Sequence, residues 1–369
     1  VPSVVRTAGR LGQELGRVAL DLLPSSSALP GRAADFTPPV MSSLLGREVS
    51  GCEPIGGTTG TTDRSVLRLR GDDVPDTVFV KSAATDLGTR LFGGLARLGE
   101  VEVGFFRDLR AGLDLEAPAA LGSRFERRTG RFAVVLEDLA ARGAEFVDTT
   151  TPLSADQVAA GLSTLAALHG STSGRAGLPT WLGTNSADAL MPVVSGVIGR
   201  LGRKVAERDP SLVAAGGDGL LRSYGRWAEV LDRDAFCVLH GDPHPGNVYL
   251  LGEPGDQHVG LLDWQAVRRG NGFRDATYFT VLSLEAAVRR EHERELLAHY
   301  CGELAAAGGP EVGADAAWTT YRQMVAYVYV ATTFTSGLGG LQGTEIADTG
   351  LRRAVAAVED LDTPAALSR

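Results

Sequence analysis

Val5, Ala8, Leu11, Leu15, Val18 and Leu22 recur at helical spacing, with Arg6, Arg10, Glu14, Arg17 and Asp21 on the other faces. That pattern predicts one amphipathic helix at the start of the chain. The Pro- and Ser-rich run from Pro24 to Gly31 breaks it as a linker. Thr37 followed by Pro38 makes an N-cap and first-turn pair for a short helix through Leu45. From about residue 49 the period shortens to that of strands. Val49 to Ile55 leads into Gly56-Gly57-Thr58-Thr59-Gly60-Thr61-Thr62-Asp63-Arg64, and a second strand runs from Ser65 to Arg70.

A Gly/Thr-rich turn between two strands brings backbone N–H groups and hydroxyls close to an anion, because little side chain intervenes. It is not a Walker loop, since no Gly-Lys-Ser/Thr follows and a strand comes next. By itself it reads equally as an ordinary hairpin. The strand at Asp76–Ser82 then places Lys81 on the face shared by Phe79. A lysine there is costly to bury unless a negative group meets it. Glu102 is the candidate, in the helical run Leu98–Arg110 beside Phe105, Phe106 and Leu109, with Glu100 as competitor. Phe132–Leu136 is a buried-type strand that ends in Glu137, Asp138 and Leu139. Ser154 and Gln157 form a capping box, and Val158, Leu162, Leu165 and Leu168 mark a buried helical stripe to His169. The change from strands to helices at residues 137–152 is the expected domain boundary. Residues 171–235 read as helices and irregular chain with a loop at Gly216-Gly217, and beyond residue 276 the chain is mostly helical. No internal repeat is found.

The most chemical stretch is Val238 to Leu250, with His240-Gly241-Asp242-Pro243-His244-Pro245-Gly246-Asn247 at its centre, followed by Gly260-Leu261-Leu262-Asp263-Trp264-Gln265. A strand enters a turn-rich loop carrying Asp242 and Asn247. A second strand, a connection containing Gly255 and a third strand then deliver Asp263. Asp242 is suited to act as a base, while Asn247 and Asp263 offer the hard oxygen ligands that Mg²⁺ takes beside phosphates.

Composition narrows this picture without choosing a substrate. With 369 residues, 44% hydrophobic and 22% charged, the chain suits two lobes with a sizeable core. The net charge of −9 argues against nucleic acid or an anionic membrane as the partner. Cys52, Cys237 and Cys301 are odd in number and widely spaced, as in a reducing compartment. No signal peptide is seen, and the apolar run Met324–Phe334 is too short to span a bilayer. A cytoplasmic protein without membrane insertion is expected.

The order of glycine-rich hairpin, strand lysine, helix glutamate, strand into hinge, helix, His-Gly-Asp-x-His-x-x-Asn and Leu-Asp-Trp resembles the aminoglycoside phosphotransferase and choline kinase family of the protein-kinase-like fold. Leu-Asp-Trp-Gln and the helix before the first strand are similar to its ecdysteroid-kinase-like and bacterial small-molecule phosphotransferase subgroups. The resemblance spans residues 37 to about 280 and is most specific at His240–Asn247 and Asp263. It implies an α+β, bilobal fold: N-terminal helices at 1–48 packing on an N-lobe, a nucleotide-binding N-lobe of antiparallel sheet plus helix at 49–137, and a mostly helical C-lobe at 138–369. It implies ATP or GTP as donor, Mg²⁺, and a small-molecule hydroxyl acceptor. Lys81 would then contact the α/β-phosphates with Glu102 fixing it. Gly57, Thr58, Thr59, Gly60 and Thr61 would lie over the phosphates, and the backbone of Glu137, Asp138 and Leu139 would meet the adenine. Asp242 would orient or deprotonate the acceptor, and Asn247 and Asp263 would hold the metal. Asp275 is read as a brace for the loop, and His240 as packing beneath it.

Each of these residues also has a plainer role, because Asp-Pro and Pro-Gly-Asn are routine turn formers. A zinc site from His240, Asp242 and His244 fits by ligand type but lacks further clustered His or Cys. A Ser/His/Asp hydrolase lacks its Gly-x-Ser-x-Gly turn. A nucleotide-binding pseudokinase and a metal-dependent hydrolase remain the other readings. Trp264 and Gln265 stand where protein kinases have Phe-Gly, and no Ala-Pro-Glu segment follows, which points away from protein substrates. The acceptor itself is open. Trp318, Tyr321, Tyr327, Tyr329 and Phe334 fit a helical core as well as a pocket, and Arg268 and Arg269 fit surface charge better than an anionic acceptor.

Overall fold

The computed structural model describes residues 2–23, 27–188, 190–232, 234, 236–253 and 257–368. Pro24 to Ser26 of the expected linker, the side chains of Val5 and Arg6, and Gly255 lie outside the described residues. The chain divides into two compact units. The first comprises Val1–Gly112, Ala117–Ala144 and Asp263–Ala266, and the second comprises Leu113–Glu116, Glu145–Leu262 and Val267–Arg369.

In the first unit, α1 (Pro2–Asp21) and α2 (Pro38–Leu45) precede β1 (Gly51–Thr59), β2 (Thr62–Arg70) and β3 (Thr77–Ala83). There follow α3 (Leu87–Leu95), α4 (Leu98–Asp108), β4 (Ala120–Phe125) and β5 (Phe132–Glu137). The strands form one antiparallel sheet in the order β1-β2-β3-β5-β4. Period-2 alternation sends Leu67, Leu69, Val78, Val80, Ala133 and Val135 to one face, where they pack with Leu29, Ala33, Phe36 and Met41 of the segment before β1. Lys81, out of step with Val78 and Val80, points to the opposite face. Helix α4 packs against β4 and β5, so closely that a Cβ on Gly99 would stand 2.1 Å from the Phe132 ring. Helix α1 is held to this unit by Asp21, whose carboxylate takes both Arg90 and Arg131.

The Gly/Thr-rich stretch differs from its reading as an extended turn. Gly57, Thr58 and Thr59 are β1 residues paired with Ser65, Arg64 and Asp63, and only Gly60 and Thr61 make the turn. The threonines suit a pleated strand, and the irregularity that the glycines introduce is a bulge between Pro54 and Gly56.

In the second unit, β6 (Glu145–Phe146) leads into α5 (Ala155–Thr172), α6 (Met191–Arg208), α7 (Gly217–Arg222) and α8 (Tyr224–Leu231). The short strands β7 (Cys237–Leu239), β8 (Val248–Leu251), β9 (His258–Leu261) and β10 (Arg268–Gly270) come next. The chain closes with α9 (Phe273–Ser283), α10 (Ala286–Ala306), α11 (Ala314–Leu338), α12 (Thr344–Asp360) and α13 (Thr363–Leu367). The capping box of α5 is made in full, with Ser154 and Gln157 each satisfying the other's backbone N–H. Every residue of α9 is buried, among them the charged pair Arg274 and Asp275. A helix buried on all sides is a core element of this unit, and α9 follows directly on β10, which pairs antiparallel with β7.

Candidate active site

In the first unit the Lys81 ammonium lies 2.9 Å from a Glu102 carboxylate oxygen and 2.7 Å from Asp263 Oδ1. Lys81 and Glu102 are buried, at 3% and 1% exposure. Glu100 does not compete: it pairs with Arg97 at 3.2 Å and Arg10 at 3.4 Å. Burial pushes the Glu102 carboxyl above its usual range; Lys81 pulls it back, but the nearby charge of Asp263 opposes that pull. Asp263 has a left-handed backbone, φ 61°, which an aspartate tolerates far better than a β-branched residue. Next to it Trp264 stacks on Phe105 of α4 with centroids 3.9 Å apart and planes 5° from parallel. Thus the strand lysine, the helix glutamate and the late aspartate meet in one cluster, and the aromatic stack joins the Asp263 segment to the helix that carries Glu102.

Sequence reasoning missed Arg64, whose Nη2 lies 3.3 Å from Asp263 Oδ2, so that Asp263 carries a cation on each oxygen. A strand arginine turning toward a carboxylate 199 residues away leaves no local signal. At the expected hinge, the Glu137 carboxylate accepts the Ala119 N–H at 2.8 Å and pairs with Arg142 at 3.1 Å, while the Glu137 N–H donates to the Ala119 carbonyl. Its backbone N–H is therefore already committed. Asp138 caps the following turn by accepting the Ala140 N–H, and the buried Leu139 presents its carbonyl to the Ala144 N–H.

In the second unit the loop after β7 is built around His240 and Asp275. His240 is fully buried; its Nε2 donates to the Leu262 carbonyl at 2.6 Å, and its Nδ1 accepts the Asp242 N–H at 3.4 Å. The Asp275 carboxylate accepts the His240 N–H at 2.6 Å and the Gly241 N–H at 3.2 Å, and meets His169 Nε2 at 3.3 Å. Gly241, at φ 91°, takes a conformation in which a Cβ would be strained. At the loop tip Asn247 Nδ2 donates to the Asp242 carbonyl at 2.9 Å and to Asp242 Oδ2 at 3.3 Å. Its amide oxygen has no protein hydrogen-bond partner among the described residues, although Asn247 is only 8% exposed. The buried phenol of Tyr278 on α9 lies near enough to Asp242 to feel its charge. Burial, reinforced by the charge of Asp242, pushes that phenol well above its usual value, so it stays protonated.

These contacts occupy the lone pairs that a zinc site would need. Both His240 nitrogens are engaged, and His244 Nδ1 accepts the Gly246 N–H at 3.0 Å. Among the described residues no group of three or more His, Cys, Asp or Glu is placed to hold a metal ion. Arg268 is not plain surface charge: it bonds Asn185 at 3.0 Å and lies 3.8 Å from Asp188, whereas Arg269 is exposed. Tyr321 and Tyr329 belong to the core at 1% exposure, and Tyr327 is half-buried against Arg274.

Asp275 gives a testable pH dependence. Burial alone would raise its carboxyl, but the hydrogen bond and charge of His169, helped by Arg274 and His240, hold it below the usual range. A depressed acid contributes stability that is present above the unfolded pKa and is lost as pH falls through the folded value. Asp275→Asn is expected to cost about 3–5 kcal/mol at neutral pH, the usual scale for breaking a buried charged network. It should also flatten the decline in stability below about pH 4. Urea unfolding across pH reads both effects, and identical acid limbs would show that the carboxylate is not the charged anchor.

This architecture is the protein-kinase-like fold, α+β with an antiparallel sheet and helix in one unit and a mostly helical second unit. The solved aminoglycoside 2'-phosphotransferase-IIIa in complex with GDP shares it, at TM-score 0.50 and 14% identity over 85% of this chain and 94% of that one. Residues 209–308 match the Ecdysteroid kinase-like family. A choline kinase from Streptococcus pneumoniae is similar at TM-score 0.47 and 18% identity, over 88% of this chain and 96% of that one. An ethanolamine kinase from Plasmodium vivax is similar at TM-score 0.48 and 10% identity, over 83% and 81%. The ecdysteroid-kinase-like and aminoglycoside phosphotransferase resemblances read from the sequence are also found by the family match and by the structure at TM-score 0.50. No curated protein sequence matches the chain.

Proposed function

We propose that this protein is an ATP- or GTP-dependent O-phosphotransferase that moves the γ-phosphoryl group to a hydroxyl of a small molecule. The observation that carries the proposal is the Lys81 ammonium held between the Glu102 and Asp263 carboxylates. A buried lysine fixed in place by a buried glutamate is a preorganised cation for nucleotide phosphates. In this reading Lys81 meets the α/β-phosphates, the Gly57–Thr61 segment lies over them, and the backbone at Glu137–Leu139 receives the base. The amide oxygen of Asn247, which no protein group occupies among the described residues, and the carboxylate of Asp263 are the hard donors that would hold Mg²⁺. When bound, that ion supplies positive charge to the phosphate oxygens. Asp242, held by Asn247, orients the acceptor hydroxyl and takes its proton.

Among the described residues no helix is long and apolar enough to cross a membrane. A cytoplasmic enzyme whose partners are a nucleotide and a small molecule, without nucleic acid, completes the proposal. It is tested by incubating the protein with Mg-ATP or Mg-GTP and a panel of sugars, amino sugars, choline-like and other alcohols. The expected products are the nucleoside diphosphate and a phosphate monoester. Tight nucleotide binding without consumption against any acceptor would favour the pseudokinase reading instead.

A further inference from the structure

Helix α9 carries a buried cation that the roles above do not use. Arg274 is 4% exposed, and among the described residues its Nε and Nη1 have no hydrogen-bond acceptor. Nη2 donates to the Tyr327 hydroxyl at 3.0 Å and approaches the Gly241 carbonyl at 3.4 Å, and the guanidinium lies 3.9 Å over the Tyr327 ring. The obvious internal counter-ion is already taken: the Asp275 oxygens accept from His240, Gly241 and His169. Asp232 accepts the Ser186 N–H at 2.6 Å. The remaining groups around the guanidinium are phenols. Burial, with the neighbouring Tyr327, pushes Tyr224 up to about 12, so it is neutral. The charges around it, those of Asp275 and Asp232 among them, outweigh the burial of this guanidinium, but its two buried donors still lack an acceptor, which an arriving anion would supply.

The position of this cation sets what the anion belongs to. Arg274 Nη2 approaches the carbonyl of Gly241, the residue before Asp242, and the Tyr278 ring, which feels the charge of Asp242, lies 5.9 Å from that of Tyr327, the residue stacked on Arg274. Asp242 is 36% exposed at its side chain and Tyr327 is half-buried, so both keep some access to solvent. We infer that the acceptor is a hydroxy acid, its carboxylate bound by Arg274 and its carbon skeleton lying along Tyr327 and Tyr278, with its hydroxyl at Asp242. This rests on the phosphotransferase reading. In the transfer, the acceptor oxygen forms a bond to Pγ as the bond from Pγ to the β,γ-bridging oxygen breaks. The hydroxyl proton passes to Asp242, and a phosphorylated hydroxy acid and a nucleoside diphosphate leave.

The experiment compares hydroxy acids, from glycerate to 4-hydroxyphenylpropionate, with their methyl esters as acceptors for Mg-ATP. Wild-type protein is expected to favour at least one acid over its ester by about tenfold or more in kcat/KM, the scale of one charge-assisted pair. Arg274→Gln should bring that ratio to about one, while Arg274→Lys, which keeps the charge, should retain part of it. Equal use of acids and esters by the wild type overturns the inference, whether or not the variants fold, and leaves the transferase reading standing. If no probe is turned over although Mg-ATP binds, the same pairs are compared by thermal shift with Mg-ATP present. Acids that raise the unfolding temperature no more than their esters then overturn the inference. Absence of both turnover and Mg-nucleotide binding sinks the transferase reading itself.

Discussion

Asp242→Ala is expected to lower phosphoryl transfer by about 10²–10⁴-fold, the usual worth of a positioned general base, while nucleotide affinity stays nearly unchanged. Two features separate these effects. First, the Asp242 side chain is 36% exposed, and its own carbonyl, which the substitution retains, accepts the shorter of the two Asn247 bonds at 2.9 Å. The loop geometry thus survives truncation, and the stability change should fall within the small range of exposed substitutions. Second, the proposed phosphate contacts Lys81, Glu102 and Asp263 belong to the first unit, whereas Asp242 belongs to the second. Steady-state transfer and calorimetric titration with Mg-nucleotide are the two measurements. Loss of nucleotide binding, with transfer per bound nucleotide preserved, would remove Asp242 from the role of base and make it part of the nucleotide site.

What the sequence made legible follows the range of the interactions. Strand alternation exposed β3, a continuous apolar run exposed β5, and the Ser154–Gln157 pair marked the start of α5 to the residue, because those signals are local. The choice of Glu102 over Glu100 was also local: Glu102 shares a helix with Phe105 and Phe106, which are buried beside it, while Glu100 faces Arg97. The Gly/Thr-rich stretch misled as to its extent, since glycines that suggest a turn can be carried in a strand by a bulge. Long-range partners were illegible. Nothing in the order of residues says that Asp263 to Ala266, flanked on both sides by the second unit, fold with the first. Arg274 shows the same limit. Nothing in Gly-Asn-Gly-Phe-Arg-Asp marks Arg274 as a core cation, yet α9 begins at Phe273 and is buried throughout.

Lys81→Met should abolish transfer to a degree similar to Asp242→Ala, and it should also destabilise the fold in a pH-dependent way that tells the two roles of Lys81 apart. Methionine fills the volume but leaves the 1% exposed Glu102 without its ammonium. Removing one partner of a buried ion pair costs about 3–5 kcal/mol when the other stays charged. Glu102 already lies above the usual carboxylate range because burial and Asp263 outweigh Lys81, and losing the lysine raises it further. An acid raised in the folded state contributes stability that is complete below its unfolded pKa and is lost as pH rises through the folded value. The variant should therefore be penalised more at pH 8 than at pH 5, as urea unfolding at the two values would show. Lys81→Met/Glu102→Gln removes the orphaned charge and should recover most of the lost stability at pH 8, since a neutral pair avoids the desolvation cost. It should not recover transfer, because the cation for the phosphates is still missing. A double variant that regains transfer along with stability would show that Lys81 serves only to neutralise Glu102, and the phosphate-binding role would then have to pass to another cation, of which Arg64 on Asp263 is the nearest.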